Sequence, residues 1–245
     1  MGRFSFSTAE FEEKCGLSSL AAKGRLRRLR PRVSGVSRGY LLVVPPEFRS
    51  QGAPPVEAWL DDYFRWLGHP YYVALQSAAG IHGSNPQAIQ MVQVMTDRPR
   101  REVVVGRLRL RFFVKRQMER TPVQEVPATY APLRVSTSAA TALDLVKYAP
   151  RIGGIGRAAE TLAPLLSKIR ASELRRLLDL EGEVSTAQRL GYIIEKLGHE
   201  KLAGTIHAWL PVSLPWISLT GTQQGRCSDA VRSPRWHVFG TTGLP

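Results

Sequence analysis

The sequence predicts an α+β fold with two domains. Three observations lead to this expectation. The first fifty residues hold two short helical patterns followed by a strand, residues 107–112 alternate between basic and apolar side chains, and residues 158–197 show successive amphipathic helical patterns. A Gly- and Pro-containing segment follows residue 50. We therefore place the domains at 1–50 and 56–210, with an irregular tail over 211–245 in which only 236–239 indicates a short strand.

The chain carries a large positive charge, which is concentrated in two segments. Its 245 residues include 34 Lys and Arg against 20 Asp and Glu, a net charge of +14. Residues 1–50 hold ten basic and four acidic residues, and residues 98–120 hold nine and two. Such clustering indicates a polyanionic partner. No apolar run is long enough to span a membrane and no leader-like segment is present, so we expect a cytoplasmic protein without a membrane partner.

The motifs that carry enzyme or metal chemistry are missing from the sequence. Its two cysteines, Cys15 and Cys227, lie at opposite ends, and the histidines do not cluster. This excludes a disulfide framework and predicts no metal site. There is no Walker loop, no nucleophile elbow and no dinucleotide-binding fingerprint. We therefore expect no cofactor and no enzymatic activity.

Two helices are predicted within the first thirty residues. Ser7 and Glu10 have the spacing of a capping box, which predicts a helix to about Lys14. Gly16 suits the left-handed conformation that ends helices, and the serine pair at 18–19 can cap a second helix. The order is therefore helix, turn, helix.

The second helix is predicted to have an apolar side and a basic side. Ala22, Leu26, Leu29 and then Val33 recur at helical spacing and should face a core. Lysine and arginine on the opposite side suit phosphate and base-edge contacts in the major groove, where arginine can bind guanine through two hydrogen bonds. The candidate DNA contacts of this helix are Ser19, Lys23, Arg27, Arg28 and Arg30.

A turn-forming stretch over 34–39 leads into a strand over 40–44, which Pro45 ends. Together with the two helices, this order predicts a winged helix-turn-helix domain, with Arg38 at the wing. The alternative is a solvated basic helix packed on a small hairpin. Winged domains normally have another helix in front, which this chain does not provide, so we expect the domain to lack its first helix.

The second domain is predicted to be a mixed α/β domain with a basic antiparallel sheet and several packing helices. Apolar residues around Val92 and Val94 run into a basic turn and then into the strand 103–105, which indicates a hairpin. Residues 107–112 would place three arginines on one face. That face either binds anions or keeps an exposed sheet soluble. The basic set of this domain, a candidate for anion binding, comprises Arg98, Arg100, Arg101, Arg107, Arg109, Arg111, Lys115 and Arg116.

Isolated carboxylates and a lone histidine leave other functions open. Asp61, Asp62, Asp97 and Asp144 would serve a nuclease or another nucleic-acid enzyme, but no third ligand lies near the Asp61–Asp62 pair. His82 stands before a helix-ending glycine without a neighbouring nucleophile, which favours a hydrogen-bonding role. A further alternative is a protein-interaction module that binds no DNA.

Five separated segments, 39–49, 71–83, 94–99, 111–116 and 135–146, have a characteristic order and spacing. Through them the chain resembles the AbiEi-type antitoxins of type IV, or abortive-infection, toxin-antitoxin systems over about residues 4–210. The resemblance implies phage defence by a two-domain repressor whose winged domain binds inverted repeats in its own promoter, as double-stranded DNA. It also implies functional pairing with a nucleotidyltransferase-like toxin, without direct contact, a monomer in solution and no catalytic residues.

By this resemblance, Lys23, Arg27 and Arg28 would contact operator DNA, and Arg38 would reach the backbone or the minor groove. The basic set of the second domain would serve DNA binding or antitoxicity. The chain departs from the family pattern at both ends. It lacks a helix before Phe4 and a closing strand after Pro211.

Overall fold

The computed structural model describes residues 3–30, 32–83, 91–220 and 231–240. The chain divides into two compact units, each assembled from segments that are distant in sequence. Unit 1 comprises residues 1–73, 88–118 and 125–135, and unit 2 comprises residues 74–87, 119–124 and 136–245.

Unit 1 begins with a short strand and two helices whose ends follow the sequence signals. The hydroxyl of Ser7 accepts a hydrogen bond from the amide of Glu10 at 3.1 Å, and Gly16 ends the first helix with φ 63°. The hydroxyl of Ser18 accepts from the amide of Ala21 at 3.4 Å and starts the second. Both predicted helices and the turn between them are confirmed. The elements are β1 (Ser5–Ser7), α1 (Thr8–Cys15) and α2 (Ser19–Arg28).

Two further strands, β2 (Val33–Ser37) and β3 (Tyr40–Val43), complete an antiparallel sheet in the order β1-β3-β2. The prediction of a turn over 34–39 was wrong, because most of that stretch is β2. A bulge between Gly35 and Ser37 breaks the two-residue alternation of a strand, so the sequence gives no strand signal there. The turn itself is only Arg38 and Gly39, where Gly39 has φ 89°.

A six-stranded sheet and one helix follow, and the sheet is mixed. The prediction of an antiparallel sheet was wrong, because β5 pairs with β7 and β4 pairs with β9 in parallel. The six residues after β5, which include Pro99, form no tight turn; the chain makes its hairpin between β6 and β7 instead. The strand order is β6-β7-β5-β4-β9-β8. The elements are α3 (Leu60–Leu67), β4 (Tyr71–Val73), β5 (Met91–Thr96), β6 (Val103–Val105), β7 (Leu108–Val114), β8 (Val123–Val126) and β9 (Leu133–Ser136).

Unit 2 is largely helical and holds a dense apolar core. Residues 139–146 of its central helix are all buried, and so is most of the helix that begins at Val184. The helices predicted over 158–169, 171–180 and 185–197 are confirmed, although the first one continues as a 3₁₀ segment after Leu162. The helices are α4 (Leu75–Ile81), α5 (Ser138–Lys147), α6 (Gly154–Leu162), α7 (Ala171–Glu181), α8 (Val184–Lys196) and α9 (Glu200–Trp209).

The described part of the tail forms a small sheet in unit 2. Its strands, β10 (Ile217–Ser218), β11 (Val231–Ser233) and β12 (Val238–Gly240), are too short to show a periodic pattern, so the sequence indicated only the segment 236–239. Trp236 is fully buried, and its indole N–H donates to the carboxylate of Glu195 at 2.7 Å. Cys227 lies outside the described residues.

Candidate nucleic-acid interface

Helix α2 presents its predicted basic side to solvent. Ala22 is its one buried residue, and Leu26 and the adjoining Leu29 are half-buried. Successive helical positions are about 100° apart, so these three residues share one side. The predicted contacts are all exposed: Ser19, Lys23, Arg27 and Arg28 lie on the remaining surface of α2, whereas Arg30, predicted on the helix, lies in the turn after it because α2 ends at Arg28.

The charge on α2 and on the hairpin that follows it is of one sign. Residues 17–46 contain seven Lys and Arg and no Asp or Glu. The nearby carboxylate of Glu10 is already bound by Arg3 and Lys14, at 2.6 and 2.9 Å, and the hydrogen bond from Lys14 lowers the pKa of Glu10. Among the residues that the structure describes, Lys23 and Arg27 have no carboxylate oxygen within ion-pair distance. These charges are available to phosphate groups.

An aromatic cluster holds the hairpin β2–β3 and therefore positions Arg38. Tyr40 is fully buried, with its ring 5.0 Å from that of Trp66 and 5.1 Å from that of Tyr63 in helix α3. Its hydroxyl donates to the hydroxyl of Ser5 at 2.8 Å. Arg38 itself is exposed at the two-residue turn. The backbone carrying Arg38 is therefore anchored, while its side chain is accessible.

The carboxylates considered for catalysis have structural partners. Arg65 forms ion pairs with both Asp61 and Asp62, and the hydroxyl of Tyr71 donates to Asp61 at 3.1 Å. Burial, together with the charge of Asp61, raises the pKa of Tyr71. Asp144 is fully buried. Across the described ranges, no group of three His, Cys, Asp or Glu side chains could hold a metal ion.

Asp97 and His82 also have defined partners. His69 lies 3.2 Å from Asp97; burial alone would raise the pKa of Asp97, but the hydrogen bond and charge of His69 outweigh it and lower that pKa. The ring Nε2–H of His82 donates to the carbonyl of Ser136 at 2.7 Å, and burial lowers the pKa of His82. The predicted hydrogen-bonding role of His82 is confirmed.

The structure divides the basic set of residues 98–116. Arg109 and Arg111 share one face of β7, with Arg109 bound by Glu102 at 3.4 Å. Phe112 points to the other face of β7, where it contacts Phe64. Arg100 lies 5.8 Å from the ring of Phe64, so it is on that other face and not beside Arg109 and Arg111. The remaining members differ in exposure: Lys115 is only 7% exposed, whereas Arg98, Arg101, Arg107 and Arg116 are exposed.

Two surface features of the structure are not predicted by the sequence. One is the exposure of Leu20 in α2, which no apolar pattern revealed because helical periodicity shows which residues share a side and not which of them are covered. The other is a cleft of about 770 Å³ in unit 2 whose lining comes from separate segments of the chain. Its basic lining residues are Arg120, Lys168, Arg170 and Arg176.

The fold is that of an α+β protein with a basic helix and hairpin region at its start. A family model, the AbiEi antitoxin C-terminal domain, matches residues 71–196, which are 126 of the 245 residues. The chain therefore belongs to the AbiEi antitoxin family, a family of antitoxins and not of enzymes, and its role is that of an antitoxin in a toxin-antitoxin system. Such a role implies a toxin partner.

A solved structure shares the fold. The crystal structure of the RV2827C protein from Mycobacterium tuberculosis superimposes with a TM-score of 0.68 over 98% of this chain and 87% of that chain, at 16% sequence identity. No curated protein matches the sequence. In the described part of the chain, no helix is long and apolar enough to cross a membrane.

Proposed function

We propose that this antitoxin is also a DNA-binding repressor of its own toxin-antitoxin operon, acting through α2 and the hairpin β2–β3. The observation that carries the proposal is the basic side of α2. It is exposed, its lysine and arginine side chains are not neutralised within the described residues, and residues 17–46 contain no carboxylate. Phosphates contribute most of the affinity in protein–DNA complexes, so such a surface favours duplex DNA.

The local topology supports the same function. The order β1, α1, α2, β2, β3 with the sheet order β1-β3-β2 resembles the part of a winged helix-turn-helix that follows its first helix. In that arrangement the second helix enters the major groove and the hairpin contacts the neighbouring backbone. Lys23, Arg27 and Arg28 would then contact the operator from the helix, and Arg38 would do so from the hairpin turn.

The proposal is tested by measuring binding of the full chain to the DNA upstream of its own gene over a series of salt concentrations. Replacing both Lys23 and Arg27 by alanine should weaken binding and flatten the log-log salt dependence by about 1.8, because each lost phosphate contact removes about 0.9. A matched control replaces Arg157 and Arg175, two exposed arginines of unit 2, by alanine.

The outcome that contradicts the repressor is equally specific. If the wild-type chain binds upstream DNA no better than a random duplex, there is no operator recognition. If the control pair flattens the salt dependence as much as the Lys23 and Arg27 pair, binding does not depend on α2.

We further propose that the opposed toxin is a nucleotidyltransferase-like enzyme and that opposing it does not need DNA binding. Family membership supports this proposal. Co-expression of the neighbouring gene product should be toxic, and the chain carrying Lys23→Ala and Arg27→Ala should still restore growth. Loss of rescue in that variant, at unchanged protein level, would tie antitoxicity to α2 instead.

The nuclease alternative has no comparable support. Asp61 and Asp62 are bound by Arg65, and Asp97 is bound by His69.

The basic set around Arg109 and Arg111 leaves a protein-interaction role open for β7. Alanine at both positions, assayed for growth rescue and for operator binding separately, distinguishes a role in antitoxicity from a role in DNA binding.

A further inference from the structure

The outer side of α2 has an apolar residue among its charges. Leu20 is 82% exposed and lies on the side of the helix opposite Ala22 and Leu26. Arg27, seven residues later, lies on the same side. An exposed leucine in the first turn of a basic helix contributes nothing to the folded core, so its apolar surface is available to a partner.

Gly24 lies one turn after Leu20 on the same side of the helix. Because it has no side chain, the helix backbone is uncovered at this position. Its backbone is helical, with no left-handed φ, and a Cβ atom added there would meet no atom within 4 Å beyond its chain neighbours and the local helix backbone. Neither turn geometry nor internal packing therefore requires glycine at this position. Glycine also weakens a helix relative to alanine. A glycine that costs helix stability without internal need indicates close approach by something outside the chain.

The charges around Leu20 and Gly24 indicate which kind of partner can bind this side of α2. Lys23 and Arg27 lie beside these two residues, and residues 17–46 have no acidic side chain. A second copy of the chain that docked through its own α2 would present the same positive charge and be repelled. The major groove of DNA combines flanking phosphates with the C5-methyl groups of thymine, so it offers negative charge at the edges and apolar contact in the middle.

We propose that Leu20 contacts a thymine methyl group in the major groove and that Gly24 lets the α2 backbone approach the base edges. The contact makes Leu20 a determinant of sequence specificity, whereas Lys23 and Arg27 supply affinity. This inference rests on the proposed DNA binding of the chain.

The test uses the full chain and its upstream DNA, made either with thymidine or with deoxyuridine throughout, which removes only the C5-methyl groups. Wild type should lose about three- to fourfold in affinity on deoxyuridine DNA for each methyl contacted, as for exposing one buried methyl group. Leu20→Ala should show that loss already on thymidine DNA and little further loss on deoxyuridine DNA. Gly24→Ala should bind both DNAs more weakly although its thermal stability is equal or higher.

Control variants separate the methyl contact from other causes. Lys23→Ala should weaken binding to both DNAs equally and keep their affinity ratio. Leu180→Ala, at an apolar residue of α7 that is 40% exposed, should change neither affinity.

Two different failures can be told apart. If upstream DNA is bound in preference to random duplex but wild type shows no preference for thymidine, or Leu20→Ala keeps that preference, the methyl contact is wrong and DNA binding stands. If upstream and random duplexes bind alike, both proposals fail. A change of oligomeric state in Leu20→Ala with an unchanged affinity ratio would assign Leu20 to a protein interface and overturn the inference.

Discussion

Helices α2 and α5 have the same length and the same kind of start, yet opposite surroundings. Each has ten residues and a hydroxyl side chain at its N-cap, Ser18 and Thr137 respectively. Each hydroxyl accepts a hydrogen bond from a helix amide at 3.4 Å. Helix α2 buries only Ala22, whereas α5 buries all residues from 139 to 146.

The difference shows what each helix depends on. Short helices are marginal in water, and most of their stability in proteins comes from packing. Helix α5 has that packing, so it belongs to the core of unit 2. Helix α2 relies on its cap and on a narrow apolar side, and it leaves its charges free. We infer that a ligand of α2 would increase the order of α2 more than a ligand could increase that of α5, because a ligand that binds only the folded form stabilises it.

The largest predicted effect is in α5. Leu145 is fully buried, so Leu145→Ala should lower the free energy of unfolding by about 3 kcal/mol, the usual cost of a cavity left by leucine. The measurement is urea unfolding followed by circular dichroism. Leu20→Ala in α2 should change the same quantity by less than about 0.5 kcal/mol, as exposed substitutions do. Equal losses in the two variants would remove the distinction between the helices.

Glycine substitutions should have opposite signs in a packed helix and in α2. A Cβ atom at Gly191 in α8 would lie 2.0 Å from the ring of Trp236, so Gly191→Ala should cost about 1–3 kcal/mol through overpacking. Gly24→Ala meets no atom and should raise the stability of α2 by about 0.5–1 kcal/mol. Thermal unfolding of both variants checks the signs. A destabilised Gly24→Ala protein would show that α2 is packed more tightly than the structure indicates.

The sequence predicted local features better than pairing. Capping serines and the turn at Gly16 predicted both ends of α1 and the start of α2, since those signals act within a few residues. The parallel pairing of β5 with β7 arises because β6 lies at the sheet edge and β7 returns between β6 and β5, an arrangement that no local pattern encodes. The burial of individual basic side chains was likewise not predictable from local patterns. The basic residues 107–111 alternate correctly, yet only the packed structure shows that Lys115 is buried and that Arg100 lies against Phe64.

Removing the two matched caps should separate global from local stability. Thr137→Ala should lower the free energy of unfolding of unit 2 by about 1 kcal/mol, because the amide of Ala140 loses its partner at a helix in the core. Ser18→Ala removes an equal bond but should speed amide hydrogen exchange only within α2 and leave the main unfolding transition in place. If Ser18→Ala also speeds the exchange of amides outside residues 19–28, α2 unfolds together with the sheet.

The smallest predicted effect is a pH dependence at the start of α5. His82 donates to the carbonyl of Ser136, just before the cap Thr137, and Lys168 donates to the carbonyl of His82. Burial first, and the charge of Lys168 after it, lower the pKa of His82 below its ordinary 6.5, although the bond to Ser136 acts in the other direction. The unfolded chain therefore takes up the proton at a higher pH than the folded chain, so this contribution to stability is complete above pH 6.5 and declines as the pH falls toward the folded pKa. Melting temperatures measured at pH 7.5 and 5.5 should fall more in wild type than in His82→Gln, whose amide can keep a donor for the Ser136 carbonyl. An equal fall in both proteins would show that His82 is not the titrating group that anchors α5.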